Sequence, residues 1–294
     1  MTRISKENIG TLPVVRGVAE LRRQIAEWRQ GGGLVALVPT MGALHDGHLA
    51  LIRRARELCD HVVASVFVNP TQFGAGEDFG RYPRDEAGDA AKLAVSGCDL
   101  LYAPPASEMY PEGFSASVLP GPIAEGHCGR FRPAHFAGVA TVVTKLLLQS
   151  QVDIACFGEK DYQQLQVIRR VTRDLDIPVR IVGVPTIREP DGLALSSRNL
   201  YLTPEQRTVA PVLNRVLQRL AKILASGEAA ISVAVAEGLA ELERAGFAPI
   251  DYLEVCDAET LRPLDTLDRP GRALAAAWLG GTRLIDNVPV MPRR

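Results

Sequence analysis

The 294-residue chain has no long apolar run, no dense basic block, no C-x-x-C pair, no internal repeat and no low-complexity segment. Each absence excludes something. The longest apolar stretch, near Val139 to Leu148, is broken by Thr141, Thr144 and Lys145, which is too polar for a membrane span. Arg3, Lys6 and Glu7 leave no apolar core for a secretory leader, so none is expected. With 33 Lys and Arg against 34 Asp and Glu, the net charge of −1 argues against a general binder of nucleic acid or anionic membranes. Five scattered cysteines, at 59, 98, 128, 156 and 256, suit a reducing compartment, and the cytoplasm is the expected location. What is present is ordinary: 47% hydrophobic and 23% charged residues, enough for one large or two medium domains with a sizeable core.

The chain is organised around Val38 to Ile52, which reads Val-Pro-Thr-Met-Gly-Ala-Leu-His-Asp-Gly-His-Leu-Ala-Leu-Ile. An apolar run, Leu34 to Val38, enters it, and residues at helical spacing leave it, so it predicts strand, tight turn and helix. Gly42 and Gly47 allow a sharp turn and a close ligand, and free N–H groups in the helix's first turn favour an anion. His45 and His48, three apart, can both point at one phosphoryl group, and protonation would add charge for a developing pyrophosphate. Two histidines in a turn also suit a solvated surface or half a metal site. No further Cys, His or carboxylate follows at zinc-ligand spacing, and the place, after a buried-type strand and at a helix start, favours a nucleotide.

Taken in order, Gly17 to Gln30 predicts an amphipathic helix, Leu34 to Val38 the first strand, and His61 to Val68 a second strand. Asn69-Pro70-Thr71-Gln72-Phe73 closes that strand, with Asn69 and Gln72 offering neutral amides to a substrate bearing hydroxyls beside a carboxylate, or forming a plain Asn-Pro turn. Arg84 to Ser96 reads as helix and Asp99 to Ala103 as strand. Residues 104–136 form a Pro/Gly-rich stretch of little periodicity, in which Arg132 and His135 either close over a ligand or, as expected here, sit on a solvated loop. Gly138 to Gln149 is an apolar helix and Val152 to Phe157 a buried strand. Gly158-Glu159-Lys160-Asp161-Tyr162-Gln163-Gln164 then repeats the strand-end geometry, placing Lys160 to meet a phosphate and Gln164 to face the same cleft as Gln72. Val179 to Val184 completes an alternation of strand and helix.

The pattern changes at Pro185. Ile187 to Asn199 is a loop whose Ser196, Ser197 and Arg198 match a triphosphate, or cap the next helix. Two helices, about Pro204 to Ala225 and Ala229 to Ala245, precede strand-like runs at Tyr252 to Val255, Ala273 to Leu279 and Arg283 to Val288. The expected fold is α/β: a Rossmann-like, doubly wound, mostly parallel sheet in residues 1–186, and a smaller α+β domain in residues 187–294 that closes over the site.

Pro39 to His48, Phe67 to Phe73, Phe157 to Gln164 and Ser196 to Asn199, in this order and spacing across nearly the whole chain, resemble the pantothenate synthetase family. The His-Asp-Gly-His string also resembles the wider nucleotidyltransferase superfamily with its H-x-G-H motif. The resemblance implies ATP-dependent condensation of (R)-pantoate with β-alanine through a pantoyl adenylate, releasing AMP and pyrophosphate. A nucleotidyltransferase that moves AMP onto a phosphorylated acceptor is the alternative. It would call for more Arg or Lys where Gln72 and Gln164 stand.

Carried over by residue, the resemblance implies that Met41, Gly42, Ala43, Leu44, His45, Asp46, Gly47 and His48 line the ATP site, with His48 as proton donor. Gly158, Glu159, Lys160 and Asp161 would hold ribose and phosphate, Ile187 would border adenine, and Leu195, Ser196, Ser197 and Arg198 would close on the triphosphate. His45, His48, Lys160 and Arg198 would carry the chemistry; Gln72 and Gln164, with Asn69, would bind pantoate. Leu195 stands where some relatives have Met, a volume-conserving exchange. The family also implies Mg²⁺, carried by phosphate oxygens and water with no protein ligand set assigned, and a homodimer.

Overall fold

The computed structural model describes residues 12–74 and 76–292; Arg3, Lys6 and Glu7, read above for the absence of a leader, lie outside the described residues. Val35–Thr40 (β2) and His61–Val66 (β3) pair in parallel from Val35 opposite His61 to Thr40 opposite Val66. Their runs of Val, Ala and Leu are buried on both sides, as strands of a parallel sheet covered on both faces must be. The sheet has six strands in the order β1-β4-β3-β2-β5-β6, where β1 is Val14–Val15, β4 Leu100–Tyr102, β5 Ile154–Gly158 and β6 Arg180–Val184. Every pairing in it is parallel.

One face is covered by α1 (Val18–Gln30), α6 (His135–Ser150) and α7 (Tyr162–Asp174), the other by α2 (Asp46–Leu58) and α3 (Glu86–Val95). Leu21 and Ile25 of α1 share a core with Val139, Leu146, Leu165 and Ile168, whereas Ile52 and Ala55 of α2 pack with Leu93 on the opposite face. From β2 the chain winds outward through β3 to β4. It then returns to β5 on the other side of β2. That reversal opens a crevice beyond the carboxyl ends of β2 and β5, where an open α/β sheet binds its ligand.

The second sheet is antiparallel, in the order β7 (Ile250–Asp257), β8 (Gly271–Leu279) and β9 (Thr282–Val290). Its core joins α8 (Pro204–Val209), α9 (Val212–Ser226) and α10 (Ile231–Arg244) through Leu213, Leu217, Leu242 and Val288.

Three expectations change. Leu34 to Val38 is not the first strand, because Val14–Val15 pairs with β4 at the sheet edge; two residues are too few to show a period. The helix expected from Pro204 to Ala225 is two helices, with Pro211 at the break, since a proline there has no N–H to continue the ladder. The stretch 104–136 contains two single helical turns, α4 (Ala106–Met109) and α5 (Cys128–Phe131), and supplies the start of α6. Gln163 holds it down, accepting from the Cys128 N–H at 3.0 Å and donating to the Ile123 and Gly126 carbonyls.

All five cysteines are free and buried. Among the described residues, no helix is long and apolar enough to cross a membrane.

Candidate active site

The turn after β2 is built by its own histidines. His45 is the N-cap of α2, and its Nδ1 accepts the Gly47 N–H at 3.2 Å; the Nδ1 of His48 accepts the His45 N–H at 3.3 Å. Both δ nitrogens being acceptors, each neutral ring carries its proton on Nε2. The glycine in His-Asp-Gly-His follows from this folding back: a Cβ at position 47 would stand 2.8 Å from His45 Cε1 and 2.9 Å from its Nδ1.

The expectation of free backbone donors here is corrected. The N–H groups of Ala43 and Leu44 are taken by Asp89, those of His45 and Gly47 by the imidazoles, and that of His48 by the His45 carbonyl at 2.8 Å. The two Nε2–H groups take over as donors to an incoming phosphate from those five amides. The added charge that protonation would bring is absent from the free protein near neutral pH. Burial and then Lys160 lower His45 to about 4, and burial and then His45 lower His48 to about 3. The free protein therefore presents neutral hydrogen-bond donors 4.2 Å apart, ring to ring.

Opposite stands the turn after β5. Lys160 lies on it, 3.9 Å from Asp161, and its carbonyl and that of Glu159 each accept a hydrogen bond at 2.9 Å from Asn287 Nδ2. Partial burial acts to raise the Asp161 carboxyl, but Lys160 and then Arg198 overcome it and hold it below the usual aspartate range. Asn287 is 2% exposed and is itself gripped by Arg272, whose Nε donates to its Oδ1 at 2.6 Å. Its neighbour Asp286 takes Arg188 in a fork at 2.7 and 2.9 Å and Asn214 at 3.0 Å. Two adjacent residues of β9 thus fasten both the Lys160 turn and the loop beginning at Ile187.

His45, His48, Gly47, Lys160, Asp161, Met41, Gly158, Gln72, Gln164, Asn69, Ile187, Leu195, Ser196, Ser197 and Arg198 line one cavity of about 220 Å³. Gly42, Ala43, Leu44, Asp46 and Glu159 are not on its lining, and Leu44 is buried in the core. Gln72 is oriented from behind. Asn69, 1% exposed, donates to Gln72 Oε1 at 3.1 Å and to the Gly138 carbonyl at 3.2 Å, while its own oxygen accepts from Thr71 and, at 2.8 Å, Tyr110. With its amide so engaged, Asn69 braces Gln72 in the cavity wall.

Arg198 is occupied too, by a two-point pair with Asp78 at 3.0 and 3.1 Å. It stands on the boundary with a second cavity of about 370 Å³ between the two sheets, which it shares with Lys160, Asp161, Gln164, Arg132 and His135. Arg132 and His135 are corrected from a solvated loop to this wall. Arg132 forks onto Glu77 at 2.7 and 2.5 Å, and the His135 ring meets the Gln72 carbonyl at 2.9 Å. Burial, then Arg132, lowers His135 to about 4.

Among the described residues no group of three or more His, Cys, Asp or Glu is placed to hold a metal ion. Asp161 is the one described carboxylate on the smaller cavity. That donor set fits Mg²⁺ only in its phosphate-carried form, with water and at most one carboxylate from the protein.

The same arrangement of elements occurs in known proteins. A model of the pantoate-beta-alanine ligase family matches residues 13–289. The pantothenate synthetase of Paramagnetospirillum magneticum is 61% identical over 279 residues, covering 95% of this chain and 98% of the relative. That of Rhodospirillum rubrum is 55% identical over 281 residues, covering 95% and 99%. The crystal structure of pantothenate synthetase from Thermus thermophilus superposes with a TM-score of 0.88 at 50% identity, covering 95% of this chain and all of that one. The pantoate-beta-alanine ligase of Francisella tularensis, solved with beta-gamma ATP and beta-alanine, superposes at 0.79 with 32% identity, covering 94% and 97%. Matched along nearly its whole length in sequence and in fold, the chain belongs to the pantoate-beta-alanine ligase family.

Proposed function

We propose that this chain joins (R)-pantoate to β-alanine at the expense of ATP, in two steps within the cavity between the β2 and β5 turns. The pantoate carboxylate attacks the α-phosphorus, the bond to the β-phosphate breaks, and pyrophosphate leaves a pantoyl adenylate. The amine of β-alanine then attacks the acyl carbon, the acyl–phosphate C–O bond breaks, and AMP leaves as the nitrogen loses its proton.

The observation that carries this reading is the meeting of neutral imidazole donors and one lysine with neutral glutamines on a single cavity. Adenylate formation puts new negative charge on the departing pyrophosphate, and donors already aimed there stabilise it without reorganising. His45 and His48 donate through Nε2, Lys160 supplies positive charge, and Ser196, Ser197 and Arg198 close on the triphosphate, Arg198 leaving Asp78 to do so. Gln72 and Gln164 receive the pantoate hydroxyls and carboxylate, and Asn69 keeps Gln72 turned toward them. Aligning the carboxylate with the α-phosphorus is the larger part of the work, since no protein nucleophile is needed. A phosphorylated acceptor for AMP would meet neutral amides where it needs cations, which disfavours the transferase alternative.

Asp161 would be the carboxylate to hold Mg²⁺, which would supply charge neutralisation when bound. Residues up to 186 form the nucleotide and pantoate domain in this reading, and residues 187–294 the domain closing over ATP. Leu193, packed in the core of the smaller sheet, supports a boundary just before it. The protein works as a homodimer in the cytoplasm, a reading that rests on the family and on the five free thiols. Light scattering at micromolar concentration tests the dimer.

Incubation with ATP, Mg²⁺, (R)-pantoate and β-alanine tests the activity. One pantothenate and one AMP per ATP consumed is the expected stoichiometry. ADP formation, or AMP transfer with no dependence on pantoate, contradicts it.

A further inference from the structure

We propose that Asp89 of α3 is a positioning residue for the reaction: its buried carboxylate fixes the histidine turn by accepting two consecutive backbone N–H groups of that turn. The inference rests on the reading of that turn as the nucleotide site.

Gly42 and Ala43 both have positive φ, +86° and +53°. The second is unusual, because a side chain at Cβ crowds the backbone in the left-handed region. The turn they make leaves the N–H groups of Ala43 and Leu44 facing α3. Here the two amides converge on Asp89: Ala43 N–H donates to Oδ2 at 2.9 Å and Leu44 N–H to Oδ1 at 2.8 Å. Lys92, one turn along α3, stands 3.9 Å from the same carboxylate and donates to the Leu44 carbonyl at 2.8 Å. Asp89 and Lys92 therefore hold the turn by its donors and by its acceptor.

Asp89 is 1% exposed and lines neither cavity, so it does not touch substrate. A buried polar group must be hydrogen-bonded, and the hydrogen bonds that this carboxylate accepts come from the residues that lead into His45. Its effect on catalysis is geometric. It draws two amides away from the cavity, leaves phosphate recognition to the imidazoles, and sets where α2 starts. The connection spans 45 residues of chain, and nothing in the local pattern of Arg84 to Ser96 announces it.

The test compares Asp89→Ala, Asp89→Asn and the double variant Ala43→Gly/Asp89→Ala, each with near-UV circular dichroism to establish folding. Asp89→Ala should lower turnover by about 10²-fold and raise the KM for ATP, the loss expected when reacting groups are displaced by about an ångström. Its Ala43 and Leu44 amides should lose their protection from hydrogen exchange. Asp89→Asn, which keeps the shape and one acceptor, should fall between, with the acid limb of its pH profile unmoved. Glycine at 43 adopts positive φ freely, so the double variant should recover about tenfold of the loss. Wild-type turnover in folded Asp89→Ala, or wild-type exchange at Ala43 and Leu44, would overturn the proposal; so would a double variant with no recovery. If Asp89→Ala does not fold, the turnover and amide exchange of Asp89→Asn decide. If the wild-type protein makes no pantothenate, the functional reading fails, and exchange at Ala43 and Leu44 still judges Asp89.

Discussion

The ring of His48 accepts the backbone N–H of His45 through Nδ1, at 3.3 Å, so the second histidine of the motif is fixed in tautomer by the main chain of the first. Its Nε2–H is thereby committed to the cavity. Replacing His48 by alanine should reduce turnover by roughly 10²–10³-fold, the usual consequence of losing one preorganised donor to a developing oxyanion. Steady-state rates on the folded variant check this, and near-normal turnover removes His48 from the mechanism.

Acid should act on this protein through three histidines. Folded values near 4 for His45, near 3 for His48 and near 4 for His135 lie below the ordinary value of about 6.5 that each regains on unfolding. Between those limits the unfolded chain binds more protons, so stability rises with pH there. The contribution is fully present above about pH 6.5 and is lost as pH falls toward the folded values. Urea midpoints at pH 7.5, 5.5 and 4.5 should decline in that order. Imidazole NMR signals of His45 and His48 in the free protein should stay on the neutral Nε2–H form from pH 8 to 5.5, and a titration centred near 6.5 contradicts the assignment.

Gly138 sets the distance between α6 and the Asn69 to Gln72 turn. A Cβ there would lie 2.4 Å from the Thr71 carbonyl oxygen and 2.7 Å from the Gln72 nitrogen, both backbone atoms that cannot swing aside. Gly138→Ala should destabilise the protein by about 1–3 kcal/mol through overpacking and displace Gln72. Kinetically, the KM for pantoate should rise while that for ATP stays close to wild type; the reverse would place Gln72 on the wrong substrate.

Asn287 tests whether the second sheet helps to set Lys160. Asn287→Asp keeps the shape but turns an acceptor toward the carbonyls of Glu159 and Lys160. A loss of about 1–3 kcal/mol is expected from the broken buried hydrogen bonds. The KM for ATP should increase and kcat fall together. A thermal melt beside the kinetics separates the two effects, and a destabilised but fully active variant would show that Lys160 needs no such support.

These contacts divide by how much of them the chain spells out locally. His45, His48, Lys160, Gln72 and Gln164 are legible because each stands in the turn or the first helical turn after a buried strand, and such strand ends share one rim of a parallel sheet. Asp89, Asn287, Glu77 and Asp78 are not, since each acts across 45 to 128 residues of chain through a hydrogen-bonded contact that leaves no period in the sequence. Arg132 and His135 stand between these cases. Their Arg-x-x-His spacing before an apolar helix is visible, but only Glu77 and the Gln72 carbonyl turn them inward. The break at Pro211 is readable from proline chemistry alone, although the apolar stripe around it argues for one continuous helix.

The most direct test of the central claim is exchange of labelled pyrophosphate into ATP, with Mg²⁺ and (R)-pantoate and without β-alanine. If the cavity between the β2 and β5 turns forms a pantoyl adenylate, label should enter ATP only when pantoate is present, and His48→Ala should suppress it. No exchange from a folded, ATP-binding protein would contradict a separate adenylate-forming step before the amine arrives.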